Sequence, residues 1–277
     1  MTKKNSHKKG KSETGSEIRS STKFLLHLIR DILLTPVTVF HILLRKKSVM
    51  HLLKPIHNTF TFIFEAKFTI SMILINIILF FASKSFSTSL FDSLIFYPSN
   101  LLEMNFLPFL TSGFLHADYT HLFGNMLAIF IFGRIVEKNL GFLKTALVYF
   151  GALIIASFFH SIIHLFILHD NIGGLGASGA LMGLVSAAIL LNPFYITYEL
   201  LFPLPVMFIG WITIMADITG ILNPVEDGIG HFAHLGGFIS IAIILFLLSK
   251  EDRSKLKKGF IVNLASLLLW FGLSWYF

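Results

Sequence analysis

Apolar residues in this chain come in long runs, separated by short polar stretches that carry Gly, Pro and charge. Such runs approach or reach the roughly 20 residues that cross a bilayer as a helix. The pattern predicts spans over about 63–83, 119–136, 145–168, 177–192, 197–216, 231–249 and 260–277. The first is most continuous over Phe68–Ala82, and Asn192-Pro193 ends the fourth. The loop of 84–118 contains Pro98 and Pro108 but much Leu and Phe, so it is expected to lie partly in the membrane interface. Residues 24–44 are apolar too, yet His27, Arg30, Asp31, Thr35, Thr38 and His41 fall along one helical stripe. Pro36 interrupts that segment, and Lys23, Arg45, Lys46 and Lys47 flank it. It reads as an amphipathic helix lying on the cytoplasmic leaflet.

The fold class is therefore an all-α polytopic membrane protein, because only helices satisfy their own backbone in lipid without closing a barrel. Four segments follow from the pattern. Residues 1–23 are a disordered basic cytoplasmic tail, with no apolar core of a cleavable signal peptide. Residues 24–58 are the interfacial, basic segment; 59–249 are the membrane domain; 250–277 are a basic loop and a seventh span.

Composition sharpens this. Of 277 residues, 55% are apolar and 13% charged, where a soluble domain has about a quarter charged. No cysteine is present, which excludes disulfides, thiol nucleophiles and thiolate metal sites. The net charge of +7 would suit nucleic acid, but its distribution points elsewhere. Twelve of the 22 Lys and Arg lie in residues 1–58. Arg134, Lys138 and Lys144 fall between spans two and three, and Lys250, Arg253, Lys255, Lys257 and Lys258 between six and seven. Asp92, Glu103, Asp118, Asp170, Glu226 and Asp227 fall on the other side, with Lys84 the one cation there. The bias is that of a multi-pass protein with its N-terminus in the cytoplasm. It is a topology signal and an attraction to anionic lipid, not a nucleic-acid footprint. The Phe-, Ile- and Lys-rich composition, without an organellar presequence, favours a bacterial cytoplasmic (inner) membrane.

Candidate chemistry centres on Gly174–Gly183, where Ser178 stands among glycines at the mouth of span four. Gly179, Gly183 and Ala187 form a small-residue row on that span; Ala233 with Gly237, and Gly236 with Ser240, do so on span six. Taken alone, Ser178 reads as part of this packing. Under the charge-derived topology, however, span six also enters from outside with His234 in its first turn, at the depth of Ser178. His121 and Asn125, four apart on one face of span two, start at the same level. Acyl transfer needs one group to attack, one to move the proton and donors to hold the oxyanion. His160 and His164 share a face of span three, with His169 beyond; without a carboxylate in the span or a His-Glu-x-x-His pattern they read as structural, and no metal or other cofactor is expected. His231 reads as a supporting or loop residue, and Asp217, ending span five near the same depth, receives no catalytic role.

Together these residues resemble the rhomboid family of intramembrane serine proteases. The matching residues are His116, His121 and Asn125; Gly176-Ala177-Ser178-Gly179; and Ala233-His234-Leu235-Gly236-Gly237. Glu103–His116 and Gly133-Arg134-Ile135-Val136-Glu137 resemble the family's first loop and the end of its second span. The resemblance covers about residues 60–250 and implies a six-helix core, here with a further C-terminal helix. It implies Ser178 as nucleophile and His234 as general base, then acid. The Ser178 N–H with the side chains of His121 and Asn125 would form the oxyanion hole. His116, Gly176, Gly179 and Gly237 would be structural residues near the site, Arg134 and Glu137 structural polar residues near the cytoplasmic side. The family relies on a dyad, with no acidic third member. Ile241 stands where the family often has a small residue, with Ser240 its replacement in the packing row. The partners implied are transmembrane protein substrates and the lipid bilayer. The expectation reduces to one contact, Ser178 Oγ to a ring nitrogen of His234. The alternative is a catalytically silent rhomboid-like protein that binds membrane spans; a transporter with a histidine proton relay would need repeats or paired half-helices, which the sequence lacks.

Overall fold

The computed structural model describes residues 26, 28–45, 48, 50–197, 203–224 and 227–274. The tail of 1–23 lies outside them, as do His27, Lys46, Lys47 and the last three residues of the seventh span. The described residues fall into two units, divided between Glu65 and Ala66.

The first unit is helical. Residues 28–33 lead through a turn at Leu34 into α1 (Thr35–Leu43), and α2 follows (Met50–Phe64). Pro36 sits in the first turn of α1, where its missing N–H has no helical acceptor to lose. The apolar side chains of α1, such as Val37, Phe40 and Leu43, are exposed within this unit.

The second unit begins with α3 (Lys67–Ser83), four residues after the predicted start of its span. The start is set from outside the helix: Ala66 supplies no capping side chain, and the Glu137 carboxylate accepts the N–H of Phe68 at 2.8 Å, the N–H of Thr69 at 2.9 Å and the Thr69 hydroxyl at 2.9 Å. A buried carboxylate there satisfies donors that every helix start leaves open. The 84–118 stretch folds into short pieces, among them α4 (Thr88–Leu94) and α5 (Pro108–Thr111). Next come α6 (Tyr119–Ala128), a π-helical turn over Ile129–Gly133, and α7 (Arg134–Leu140). Then α8 (Phe142–Ile163) starts three residues earlier than predicted and closes in a π-helical turn over His164–Leu168.

Helix α9 (Ser178–Leu191) matches its predicted span to within a residue and is the centre of the unit, with Gly179–Ile189 buried. A helix apolar on all sides belongs inside, and its Gly, Ala and Ser positions let neighbours approach. Span five is shifted: β1 (Ile196–Thr197) pairs antiparallel with β2 (Leu204–Pro205), and α10 (Val206–Leu222) begins nine residues after the predicted start. Pro203 and Pro205 explain this, since neither offers an N–H to an earlier turn. The predicted sixth span holds α11 (His231–Ile239), α12 (Ile241–Ile244) and a 3₁₀ turn over Leu245–Leu247. The last helix, α13 (Lys250–Ser274), starts ten residues early because its charged first turns are also helical.

Among the described residues, three helical stretches are long and apolar enough to cross a bilayer: Tyr119–Leu140, Phe142–Leu168 and Lys250–Leu273, or four if Lys67–Ser83 is counted with the apolar residues before it. Ser178–Leu191, Val206–Leu222 and His231–Leu247 are shorter apolar helices. The chain is an all-α polytopic membrane protein. Its core includes Phe80, Ile129, Tyr149, Met182, Leu184 and Val185.

Candidate active site

The site is built where α9 starts. Before it, Gly174 pairs with Phe96 through two backbone hydrogen bonds (3.2 and 2.8 Å), and the Gly176 N–H donates to the Ser112 carbonyl at 2.9 Å. All three bonds tie this stretch to the loop after α3. Gly176 has φ +121°, a backbone region that glycine takes without strain. A Cβ there would lie 2.7 Å from Nε2 of His121 and 3.6 Å from Nδ2 of Asn125. The turn two residues before Ser178 is thus pressed against both predicted oxyanion donors.

Helix α6 orients those donors. Asp118 caps it by accepting the His121 N–H at 2.8 Å, and that hydrogen bond holds the Asp118 carboxyl below its usual range. One turn on, Asn125 is buried, and its Nδ2 has no protein hydrogen-bond partner. His116 precedes the helix, buried at 3% exposure, with its ring 5.1 Å from that of His121 in a T-shaped contact. Burial first, and the neighbouring His121 second, lower the His116 imidazole to about 4, so it is neutral at physiological pH.

His234 comes from α11, which packs tightly on α9: a Cβ at Gly237 would fall on the carbonyl of Gly179. Ser178 and His234 are both half-buried. Among the described residues no hydrogen bond joins Ser178 Oγ to His234. Catalytic hydrogen bonds are often long before substrate arrives.

What His234 does contact is Asp217. Its Nδ1 lies 2.8 Å from Asp217 Oδ1, and the same oxygen lies 2.9 Å from Nδ1 of His231. Nε2 of His231 also faces Asp227 at 3.3 Å. Sequence reading put Asp217 at the end of a span; α10 in fact runs on to Leu222, which leaves Asp217 within the helix, buried and turned toward α11. The only hint in the sequence was an acidic residue inside an otherwise apolar run, a costly placement that calls for a partner.

One set among the described residues, Asp217, His231 and His234, brings a metal-ligating atom from each within 4.8 Å of the others. Ligand atoms around a tetrahedral zinc stand about 3.3 Å apart, given bonds near 2.0 Å. The nitrogen–oxygen distances of 2.8 and 2.9 Å are those of hydrogen bonds, and we read the set as such. His160 and His164 stack at 3.9 Å; Nε2 of His160 meets the Ile172 carbonyl at 3.0 Å, and Nδ1 of His164 meets Asp170 at 2.5 Å. Burial alone would raise the Asp170 carboxyl, but hydrogen bonds from His164 and the Ile172 N–H outweigh it and hold it low. These histidines anchor the loop that leads to Gly174.

Residues 103–251 match the Rhomboid domain, over just more than half of the chain. Relatives include RHOMBOID-like protein 4 of Arabidopsis thaliana, 28% identical over 58% of this chain and 42% of that protein. RHOMBOID-like protein 6, mitochondrial, of Arabidopsis thaliana is 35% identical over 52% of this chain and 44% of its own length. Rhomboid protease AarA of Providencia stuartii is 28% identical over 64% of this chain and 72% of its own length. The chain spans less than half of each of these two plant relatives. With the domain match covering α6 to α11, and with them His121, Asn125, Ser178, Asp217 and His234, the chain belongs to the rhomboid family of multi-pass membrane proteins.

Proposed function

We propose that this protein is an intramembrane serine endopeptidase that cleaves transmembrane segments through Ser178 and His234. The observation that carries this reading is the buried, unpaired Nδ2 of Asn125 beside the Gly176 turn. A buried donor left without a partner costs about 1–3 kcal/mol, so its retention asks for an occasional acceptor. An oxyanion formed on a carbonyl attacked by Ser178 is such an acceptor, with His121 as its neighbour. The likeness to Rhomboid protease AarA supports the same activity.

On this reading a substrate helix enters laterally and unwinds near the outer face. His234 takes the proton of Ser178, whose oxygen attacks the carbonyl carbon. The Ser178 N–H, His121 and Asn125 hold the oxyanion, a contribution of about 3 kcal/mol per donor in soluble serine proteases. His234 returns the proton to the leaving amine, and water resolves the acyl-enzyme. Irregular backbone before α9 is compatible with lipid where it lines a water-filled cavity. The site opens to the outside of a bacterial cytoplasmic membrane, with the N-terminus in the cytoplasm, in a core of six spans that the last helix extends.

Cleavage of a single-span substrate in vesicles tests the reading. Ser178→Ala and His234→Ala each abolish product at unchanged protein level, and a chelator has no effect. A second reading, a rhomboid-like binder of membrane spans without catalysis, is favoured by the missing Ser178–His234 hydrogen bond. It predicts substrate capture with no product from the wild type. Full cleavage by Ser178→Ala overturns the assignment of the nucleophile.

A further inference from the structure

We infer that Asp217 is a positioning residue that sets the tautomer and tilt of His234, so that the site operates as a serine, a histidine and a carboxylate. The inference rests on the protease reading above. Asp217 is 4% exposed in an apolar helix, and its Oδ2 has no protein partner. A carboxylate in such surroundings is expensive unless what it does accept is well made. Its Oδ1 receives two imidazoles, from His234 at 2.8 Å and His231 at 2.9 Å.

With Asp217 ionised, its carboxylate only accepts, so Nδ1 of each ring carries the hydrogen. For His234 this commits Nδ1 and leaves the lone pair on Nε2, the nitrogen free to take a proton from Ser178. Without the acceptor, the hydrogen can sit on either nitrogen, and the fraction carrying it on Nε2 cannot act as base. The rotation of the ring is fixed by the same bond. His231, one turn before His234, helps hold the carboxylate in place; its Nε2 faces Asp227, whose own carboxylate is drawn to the Ile229 N–H at 2.9 Å. The chain thus runs from a surface loop through His231 to Asp217 and on to His234. The separation of 17 positions between Asp217 and His234 hides the pair in sequence, since it spans the turn from α10 into α11.

The test uses the full-length protein in nanodiscs and two readouts. In the first, Asp217→Asn, which preserves shape, lowers kcat on a single-span substrate about 10-fold or more, as when a serine protease's histidine loses the carboxylate that orients it, with KM changed less than about twofold. Asp217→Glu regains part of the loss. In the second, ¹⁵N spectra of histidine-labelled protein, with the His234 signals assigned by their loss in His234→Asn, show Nδ1 protonated in the wild type and a mixture in Asp217→Asn. Wild-type kcat in Asp217→Asn, a KM effect alone, or a wild-type His234 protonated at Nε2 overturns the inference. If Asp217→Asn does not fold, the wild-type spectrum decides. If the wild type cleaves nothing, the protease reading fails, while the spectrum still reports on the Asp217–His234 bond.

Discussion

At Asn125 a buried amide waits without a protein acceptor, and at His121 a ring leans on the glycine turn before Ser178. Both are argued to act on the oxyanion rather than on the ground state, so Asn125→Ala and His121→Ala should each lower kcat about 100-fold or more with KM little changed, as read from initial cleavage rates. Asp118→Ala should reduce both the thermal midpoint and activity, because α6 loses the cap that aims His121; Asp118→Asn, which also caps, should largely preserve them. His116 makes a different prediction. Its imidazole is lowered to about 4 in the fold against an ordinary value near 6.5. Between those values the unfolded chain binds the extra proton and the folded chain does not, so stability is full above about 6.5 and falls toward pH 4, by up to about 3 kcal/mol. Thermal melts in detergent from pH 8 to 4 should show this limb, and His116→Gln should flatten it. Residue identities were legible where local spacing carries them, as with His121 and Asn125 one turn apart. Asp217 was not, because its meaning depends on the rotation of one helix against another.

Among elements, helices appear in the apolar runs, and their ends move where a single residue type intervenes. Proline delays α10, and the charged turn that starts at Lys250 lengthens α13, since hydropathy marks what lies in lipid and not where helical hydrogen bonding stops. The start of α3 depends on Glu137, 68 residues away from Thr69, which no local pattern could reveal. The small-residue rows were readable, and the packing explains them: Gly237 lets the backbones of α11 and α9 meet. Gly237→Ala should therefore push the two helices apart, with a loss of activity and a drop in the thermal midpoint equivalent to about 1–3 kcal/mol. The last helix docks by polar contacts as well. Asn263 donates to the carbonyls of Ile189 (2.8 Å) and Gly259 (2.9 Å), and accepts from Nε1 of Trp211 at 3.0 Å. Asn263→Leu strands the buried indole N–H of Trp211 and frees α13 from α9 and α10, at a cost of about 1–3 kcal/mol. A lower melting temperature with unchanged kcat at low temperature is the expected outcome, since α13 supports the site's scaffold without reaching the site.

For the whole molecule, orientation in the bilayer rests on charge. The basic clusters of 1–58, of Arg134–Lys144 and of Lys250–Lys258 alternate with the acidic loops bearing Asp92, Glu103 and Asp227. Moving the clusters across the membrane would work against both the insertion bias and the potential, so all three should share the cytoplasmic side. This decides more than topology, because Ser178 starts α9 and His234 lies in the first turn of α11, and on the proposed function their side of the membrane is the side on which substrates are cut. The absence of cysteine makes the test direct, since single-cysteine variants need no background removed. In intact cells, Asp92→Cys and Glu103→Cys should react with a membrane-impermeant maleimide, whereas Lys138→Cys and Lys255→Cys should react only after permeabilisation. The reverse pattern would turn the site toward the cytoplasm, and the lateral entry of substrate would then have to be sought from the inner leaflet.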